Sequence, residues 1–377
     1  EGRRRGGFVP AAEQWPKARR YTDWRVMLEK EKNLDGVTVS TPDHMHAPVT
    51  MTALQRGIGC YTQKPLTRTV HESRRVTAAA AGAGVATQMG NQHHNGTSYR
   101  TLVHLVQKGL LGKIKRAHAW SNRPIWPQGV GRPSASESPP EALHWDLWLG
   151  VAPHRPFAPD VYHPFKWRGW HDFGTGALGD MGCHILDPIY WALELTAPTS
   201  ILCEALPPQK ETFPTAERIH YRFSGTKRTA GKTIEVTWHD GGNLPVPAEC
   251  DLPGDTKLPP NGCMFVGERA VAVCPHGSGK LPSLYPEKVF KGLDFEVLPS
   301  IDHYGQWIAG LKGGEKPTSG FDYAGPLCET VLLGCVASRL PGVRLSWDPH
   351  SLRFKSNKAA DNFLHQEYRK GWEVEGI

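Results

Sequence analysis

Between residues 34 and 92, short β-rich runs take turns with helical stretches. Leu34 to Ser40 reads as a strand that stops at Thr41-Pro42, because Pro42 cannot continue a ladder. Residues 46–57 read as a helix with Gly57 as a C-cap, Ile58 to Thr62 as a second strand, 69–83 as an Ala-rich helix, and Val85 to Met89 as a third strand. Strands joined through helices in this way build a parallel sheet. Upstream, residues 8–35 read as helical material on the i, i+3, i+4 spacing of Trp24, Met27 and Leu28.

After Asn91 the texture changes. The pattern predicts a helix over 97–109, a strand from Ile114 to Ser121, a Pro/Ser-rich loop over 124–141 and a helix over 176–195. Strands then follow at 200–205, 217–223, 233–239, 263–266 and 270–274, broken by Pro/Gly loops, which predicts a mostly antiparallel sheet. Helices are expected at 301–312, 323–338 and 359–370. The chain thus divides into a parallel α/β piece, 1–92, and an α+β piece, 93–377; at about 150 residues per domain, 377 residues suit two domains.

Composition narrows the class. The hydrophobic share of 39%, with 40 Gly besides, is that of a globular protein, and excludes disorder, collagen and coiled coil as whole-chain readings. No run approaches about 18 apolar residues, so no membrane span is expected. The net charge of +7 is modest and spread along the chain, which does not argue for nucleic acid. Eight cysteines without a CxxC pair suggest neither a zinc site nor a disulfide framework. Buried thiols in a reducing compartment, the cytoplasm, are the reading; export stays open.

Three segments carry groups able to do chemistry. Ser40-Thr41-Pro42-Asp43-His44-Met45-His46 follows a strand's C-terminal end, the edge at which open parallel sheets bind ligands. Thr41, Pro42 and exposed main chain suit a cofactor's ribose and nicotinamide, and an ordinary βα loop with His46 capping the next helix needs the same residues. Asp43, His44 and His46 have no further ligand at defined spacing, so no metal is expected. Tyr61-Thr62-Gln63-Lys64-Pro65-Leu66 also follows a strand. A lysine fixed there can polarise a hydroxyl or relay a proton; a solvated loop lysine fits these six residues as well. In Gly174 to Asp187, the residues Asp180, His184 and Asp187 fall at i, i+4 and i+7, on one helix face. A carboxylate one turn from a histidine can orient the ring and raise its basicity. The alternative is a structural His–Asp pair in a glycine-rich packing helix.

Taken in order, Thr41-Pro42-Asp43 with His46, then Lys64-Pro65, then Gly179-Asp180-x-Gly-x-His184-x-x-Asp187 resemble the Gfo/Idh/MocA family (glucose–fructose oxidoreductase, inositol dehydrogenase and relatives). Met89-Gly90-Asn91-Gln92, Arg123-Pro124-Ile125-Trp126-Pro127, Trp145 to Gly150, Tyr162 to Phe165 and Phe321 to Leu327 resemble one bacterial branch of it. The resemblance implies a Rossmann domain for NAD or NADP. It also implies a second domain whose open, mostly antiparallel sheet builds the substrate face and often the interface of a homo-oligomer, a dimer or tetramer. By that analogy Lys64 and His184 are the acid/base pair, and Asp180 orients or contacts the substrate. Ser40, Thr41, Pro42 and His46 would line the cofactor, with Gln63, Lys64 and Asn91 near its ribose or nicotinamide. Arg123, His93, His94, Tyr162, Lys166, Arg168, Trp170 and Asn91 are candidate substrate contacts. The tryptophan-rich segment 145–170 suits a carbohydrate face, or else packs as a hydrophobic interdomain loop.

Two departures stand out. Family members carry Gly-x-Gly-x-x-Gly in the first βα turn to cradle a pyrophosphate, and no such loop stands in the first βα turn of this sequence. Arg3-Arg4-Arg5 followed by Tyr21-x-x-Trp24 is similar to family sequence that follows the second strand. The expectation is therefore a truncated chain that holds a dinucleotide poorly. Arg3 to Arg5 could meet a 2′-phosphate, although helix-surface arginines explain them too. Gln63 stands where the family has Glu, which removes one negative charge from the site. The leading expectation is hydride transfer between a nicotinamide cofactor and a hydroxyl of a sugar, sugar derivative or cyclitol. The rivals are an NAD-dependent glycoside hydrolase or lyase working through a transient keto-sugar, and a non-catalytic binding remnant.

Overall fold

The structure, a computed structural model, describes residues 11–134, 136–207 and 209–377. Arg3 to Arg5 lie outside the described residues. The α/β reading of 34–92 holds: β1 (Gly36–Val39), β2 (Gly59–Gln63) and β3 (Thr87–Gly90) form a parallel sheet in that order, Val37 beside Cys60 and Cys60 beside Thr87. The crossovers are the helices His46–Gln55 and Val70–Ala83. The second opens on a capping box, in which Thr69 accepts from the Glu72 N–H and the Glu72 carboxylate reaches back to Thr69; Gly84 ends it at φ 66°.

This sheet is covered by residues from far along the chain. The helix His303–Leu311 lies across it, and a Cβ on Gly59 would stand 2.2 Å from the Leu311 side chain. Only glycine leaves that gap. The helix Phe321–Ala337 runs along Val70–Ala83, where Ser73 Oγ donates to the Gly325 carbonyl at 3.0 Å.

The second sheet has nine strands in the order β10-β9-β8-β4-β7-β6-β5-β11-β12. They are β4 (Ile114–Trp120), β5 (Ser200–Ala205), β6 (Glu217–Ser224), β7 (Thr233–His239), β8 (Gly262–Gly267), β9 (Val271–Pro275), β10 (Ser283–Tyr285), β11 (Leu345–Asp348) and β12 (Arg353–Phe354). Every pairing is antiparallel except β4 with β7. The outer strands β10, β11 and β12 are too short to show an alternation in sequence.

Three expected elements differ. The material over 8–35 is, within the described residues, two short helices, Ala11–Gln14 and Trp24–Lys30. The helix expected over 176–195 is two helices, Gly176–Ile185 and Asp187–Leu193, because Pro188 opens a new first turn. The last helix, 359–370, is only a 3-10 stretch, Lys358–Phe363, capped by Asn357; beyond it the tail lies against the parallel unit, where Tyr368 Oη donates to Glu72 at 2.7 Å. All eight cysteines are buried and unbonded to one another. Among the described residues no helix is long and apolar enough to cross a membrane.

Candidate active site

β1 and β2 end at the same edge, and each delivers a loop there. His46 ties the loops together, with Nδ1 2.7 Å from the Pro65 carbonyl and Nε2 2.9 Å from the Thr41 carbonyl. Its neighbours bond to other segments. Asp43 accepts from Thr175 Oγ1 at 2.7 Å, and His44 Nε2 lies 3.0 Å from the Trp148 carbonyl. Asp43, His44 and His46 thus serve as fasteners between segments.

Lys64 reaches across to the helix Gly176–Ile185. Its Nζ donates to Asp180 Oδ1 at 2.7 Å and to the Asp180 carbonyl at 2.6 Å. Arg168 Nε approaches Oδ1 at 3.3 Å, and Arg123 Nε stands 3.8 Å from Oδ2. Burial alone would raise the Asp180 carboxyl, but Lys64, Arg168 and Arg123 together hold it below the usual carboxylate range. Asp180 is therefore spent on cations rather than on orienting His184, as the one-turn spacing had suggested.

His184 sits one turn further along. It is buried, and its Nδ1 has no partner. Burial, and next the charge on Lys64, push its pKa well below the ordinary imidazole value. The imidazole is thus neutral at neutral pH. Around it stand His93, 6.0 Å away between ring centroids, and His276 at 5.4 Å. His276 lies 2.8 Å from Tyr99 Oη, and burial takes it down to about 3. Nothing in the sequence near His276 ties it to His184; only the return of the chain after β9 does.

Asp187 does not share the face of Asp180 and His184. It opens the next helix and is buried, with Oδ2 2.9 Å from His94 Nδ1 and Tyr323 Oη donating to Oδ1 at 2.5 Å. Asp187 and His94 therefore form a packed structural pair, and His94 is withdrawn from any substrate.

Between the two units lies a cleft of about 460 Å³. Ser40, Thr41, Pro42, His46, Gln63 and Lys64 line one side, and Trp148, His163, Phe165 and Arg168 line the other. Thr41 Oγ1 is buried there without a partner among the described residues; Asn91, at the end of β3, is outside the cleft lining and fully buried, its Oδ1 accepting from Ser319 at 2.6 Å. Lys166, on the same turn as Arg168, is outside the cleft lining. Tyr162 and Trp170, expected at the substrate, are 1% and 2% exposed. They belong to a small core with Trp145, Trp167 and Phe173, because a run so rich in aromatic rings buries most of its own surface. Trp148, His163 and Phe165 reach the cleft instead, and no local signal separates them from their buried neighbours.

Comparison with known proteins bears on this geometry. Residues 5–91 match the family model described as "Oxidoreductase family, NAD-binding Rossmann fold", and residues 95–233 match "Oxidoreductase family, C-terminal alpha/beta domain", both of the Gfo/Idh/MocA group. The chain belongs to the Gfo/Idh/MocA oxidoreductase family. Its NAD-binding Rossmann unit contains the three-stranded parallel sheet, and the C-terminal match opens on the helix Thr97–Gln107, ahead of β4. Levoglucosan dehydrogenase of Pseudarthrobacter phenanthrenivorans is 22% identical over 187 residues, 49% of this chain. The match spans 40% of that relative, so less than half its length is compared. Among solved structures, the WlbA dehydrogenase of Bordetella pertussis in complex with NADH and UDP-GlcNAcA has a TM-score of 0.59 at 16% identity, covering 90% of this chain and 86% of that one. An inositol dehydrogenase homologue of Azotobacter vinelandii, complexed with NADH and myo-inositol, has a TM-score of 0.52 at 15% identity, with 87% and 83% covered. At these identities the likeness is one of fold.

Proposed function

We propose that this member of the Gfo/Idh/MocA family is an NAD(P)-dependent oxidoreductase acting on a hydroxyl of a sugar, sugar derivative or cyclitol. The observation that carries the reading is Lys64, extended from the end of β2 and held by Asp180 of the other unit, with a neutral His184 one turn beyond. A neutral imidazole accepts the proton of a substrate hydroxyl, and an ammonium beside it stabilises the negative charge that grows on that oxygen. Lys64, Arg123 and Arg168 gather around the Asp180 carboxylate, with Asp43 also in the lining; three cations against these two carboxylates favour such an oxygen.

The residues present fit the nicotinamide end of a dinucleotide. The unpartnered Thr41 hydroxyl offers a hydrogen bond of the kind a ribose or carboxamide takes, and Ser40, Pro42 and Gln63 line the cleft with it. When bound, the nicotinamide supplies the hydride acceptor at C4. His184 holds the proton released, and Lys64 keeps the substrate oxygen in place. The relatives' substrates, levoglucosan and inositol, support a polyhydroxylated ring as the substrate class.

The test follows nicotinamide absorbance while the chain is incubated with sugars and cyclitols and with NAD⁺ or NADP⁺ in parallel. Stoichiometric formation of reduced cofactor, lost in Lys64→Ala and His184→Ala, supports the dehydrogenase reading. Glycoside cleavage without accumulation of reduced cofactor replaces it with the hydrolase or lyase reading. Neither turnover nor cofactor binding would leave a binding protein.

A further inference from the structure

A second cavity, about 270 Å³, lies behind the helix Gly176–Ile185, where the loop before Val70–Ala83 meets the tail of the chain. Two arginines line it, and neither forms an ion pair among the described residues. Arg68 gives one guanidinium nitrogen to the His171 carbonyl at 2.8 Å and another to the Gln366 side chain, both uncharged acceptors, and its Nε has no partner. The Arg339 guanidinium makes no hydrogen bond among the described residues; it lies 4.1 Å over the Phe363 ring, and Arg339 lines the cavity.

The nearby carboxylates are engaged elsewhere. Glu72 spends its oxygens on the N–H groups of Arg68 and Thr69 and on Tyr368. Asp172 pairs with Arg155. His171 is held neutral by burial. Two like charges in a half-enclosed space, each short of an acidic partner, are a costly arrangement. Burial, and next the charge of Arg68, bring Arg339 down to about 10, although the carboxylates of Asp172 and Glu211 act the other way. The rest of the wall is mixed: Phe213, Leu332 and Val336 form an apolar side, and the polar side includes Asp172, whose carboxylate is held by Arg155.

We infer that this cavity binds an oxyanion, a carboxylate or phosphate ester carrying a small apolar body, between Arg68 and Arg339. A guanidinium fork matches either headgroup with two parallel hydrogen bonds, and the apolar wall accepts the body. The site is separate from the Lys64 cleft, so this proposal stands or falls independently of the dehydrogenase reading.

Titration calorimetry of the whole chain with inorganic phosphate and with benzoate, at an ionic strength fixed with chloride, tests it. One of the two anions should bind saturably, and the stronger identifies the headgroup class. Arg339→Gln should weaken that binding at least tenfold, and Arg339→Lys, which keeps the charge but loses the fork, should fall between. Should Arg339→Gln misfold, phenylglyoxal labelling of the wild-type chain read by mass spectrometry gives a second measure: the anion should protect Arg339. Binding no better than chloride, equal binding by Arg339→Gln, or labelling of Arg339 unaffected by either anion overturns the assignment.

Discussion

Asp180 and Asp187 lie seven residues apart in one glycine-rich segment, yet they do opposite work. Asp180 stands at the cleft with Lys64, Arg168 and Arg123 around it. Asp187 is fully enclosed with His94 and Tyr323. One helix ends at Ile185 and the next opens at Asp187, and the second carboxylate meets a histidine and a tyrosine of the interior rather than cations. A carboxylate near a histidine in sequence is therefore no guide to function until the direction of the backbone between them is known.

Changes to each side of this contrast should give different signatures. The largest effect is expected at the Asp180 end. Lys64→Ala or His184→Ala should lower kcat/KM by about 10³-fold, the usual scale for loss of a positioned acid or base, with the thermal midpoint little changed. At the Asp187 end the loss should be of stability. Asp187→Ala strips a buried partner from His94 and Tyr323 and should cost about 3 kcal/mol in denaturant unfolding, while the folded fraction keeps its KM. If Asp187→Ala were as stable as wild type but inactive, the contrast would be wrong.

Smaller effects sharpen it. Asp180→Asn keeps the shape but weakens the hold on Lys64, and should lower kcat by up to about 10²-fold through misplacement of the ammonium. Since Asp180 is held below the usual carboxylate range, this variant should also lose stability near neutral pH and differ little from wild type at strongly acidic pH. The acid limb of kcat/KM should lie below 6.5, because activity needs neutral His184 and its pKa is depressed. The sign for stability is the same: the unfolded chain binds a proton that folded His184 refuses, so this group's contribution is lost as pH falls below 6.5. Least of all, Tyr162→Phe should change kcat less than about twofold and cost at most about 1 kcal/mol, since it removes only a weak bond from Arg155 within the aromatic core.

Much of the parallel unit was legible. β1, β2 and β3 and their two crossover helices fall within a few residues of their expected places, because alternation, Pro42, Gly57 and the Thr69 cap act locally. Lys64, Asp180 and His184 were recognisable as residues of a familiar pattern. Their pairing was not: Lys64 and Asp180 are 116 residues apart, and no periodicity links them. The same holds for His276 beside His184, and for Arg68 and Arg339 around one cavity. Tyr162 and Trp170 were misread because exposure of an aromatic ring depends on how many others surround it.

Local chemistry in the chain was enough to determine that a parallel α/β unit precedes a mostly antiparallel one, and which side chains could transfer a proton. Tertiary structure alone decided which charge meets which. Long-range contacts set burial, and burial sets whether an imidazole is neutral, whether a carboxylate serves a lysine or a histidine, and whether a tyrosine faces a substrate or a core.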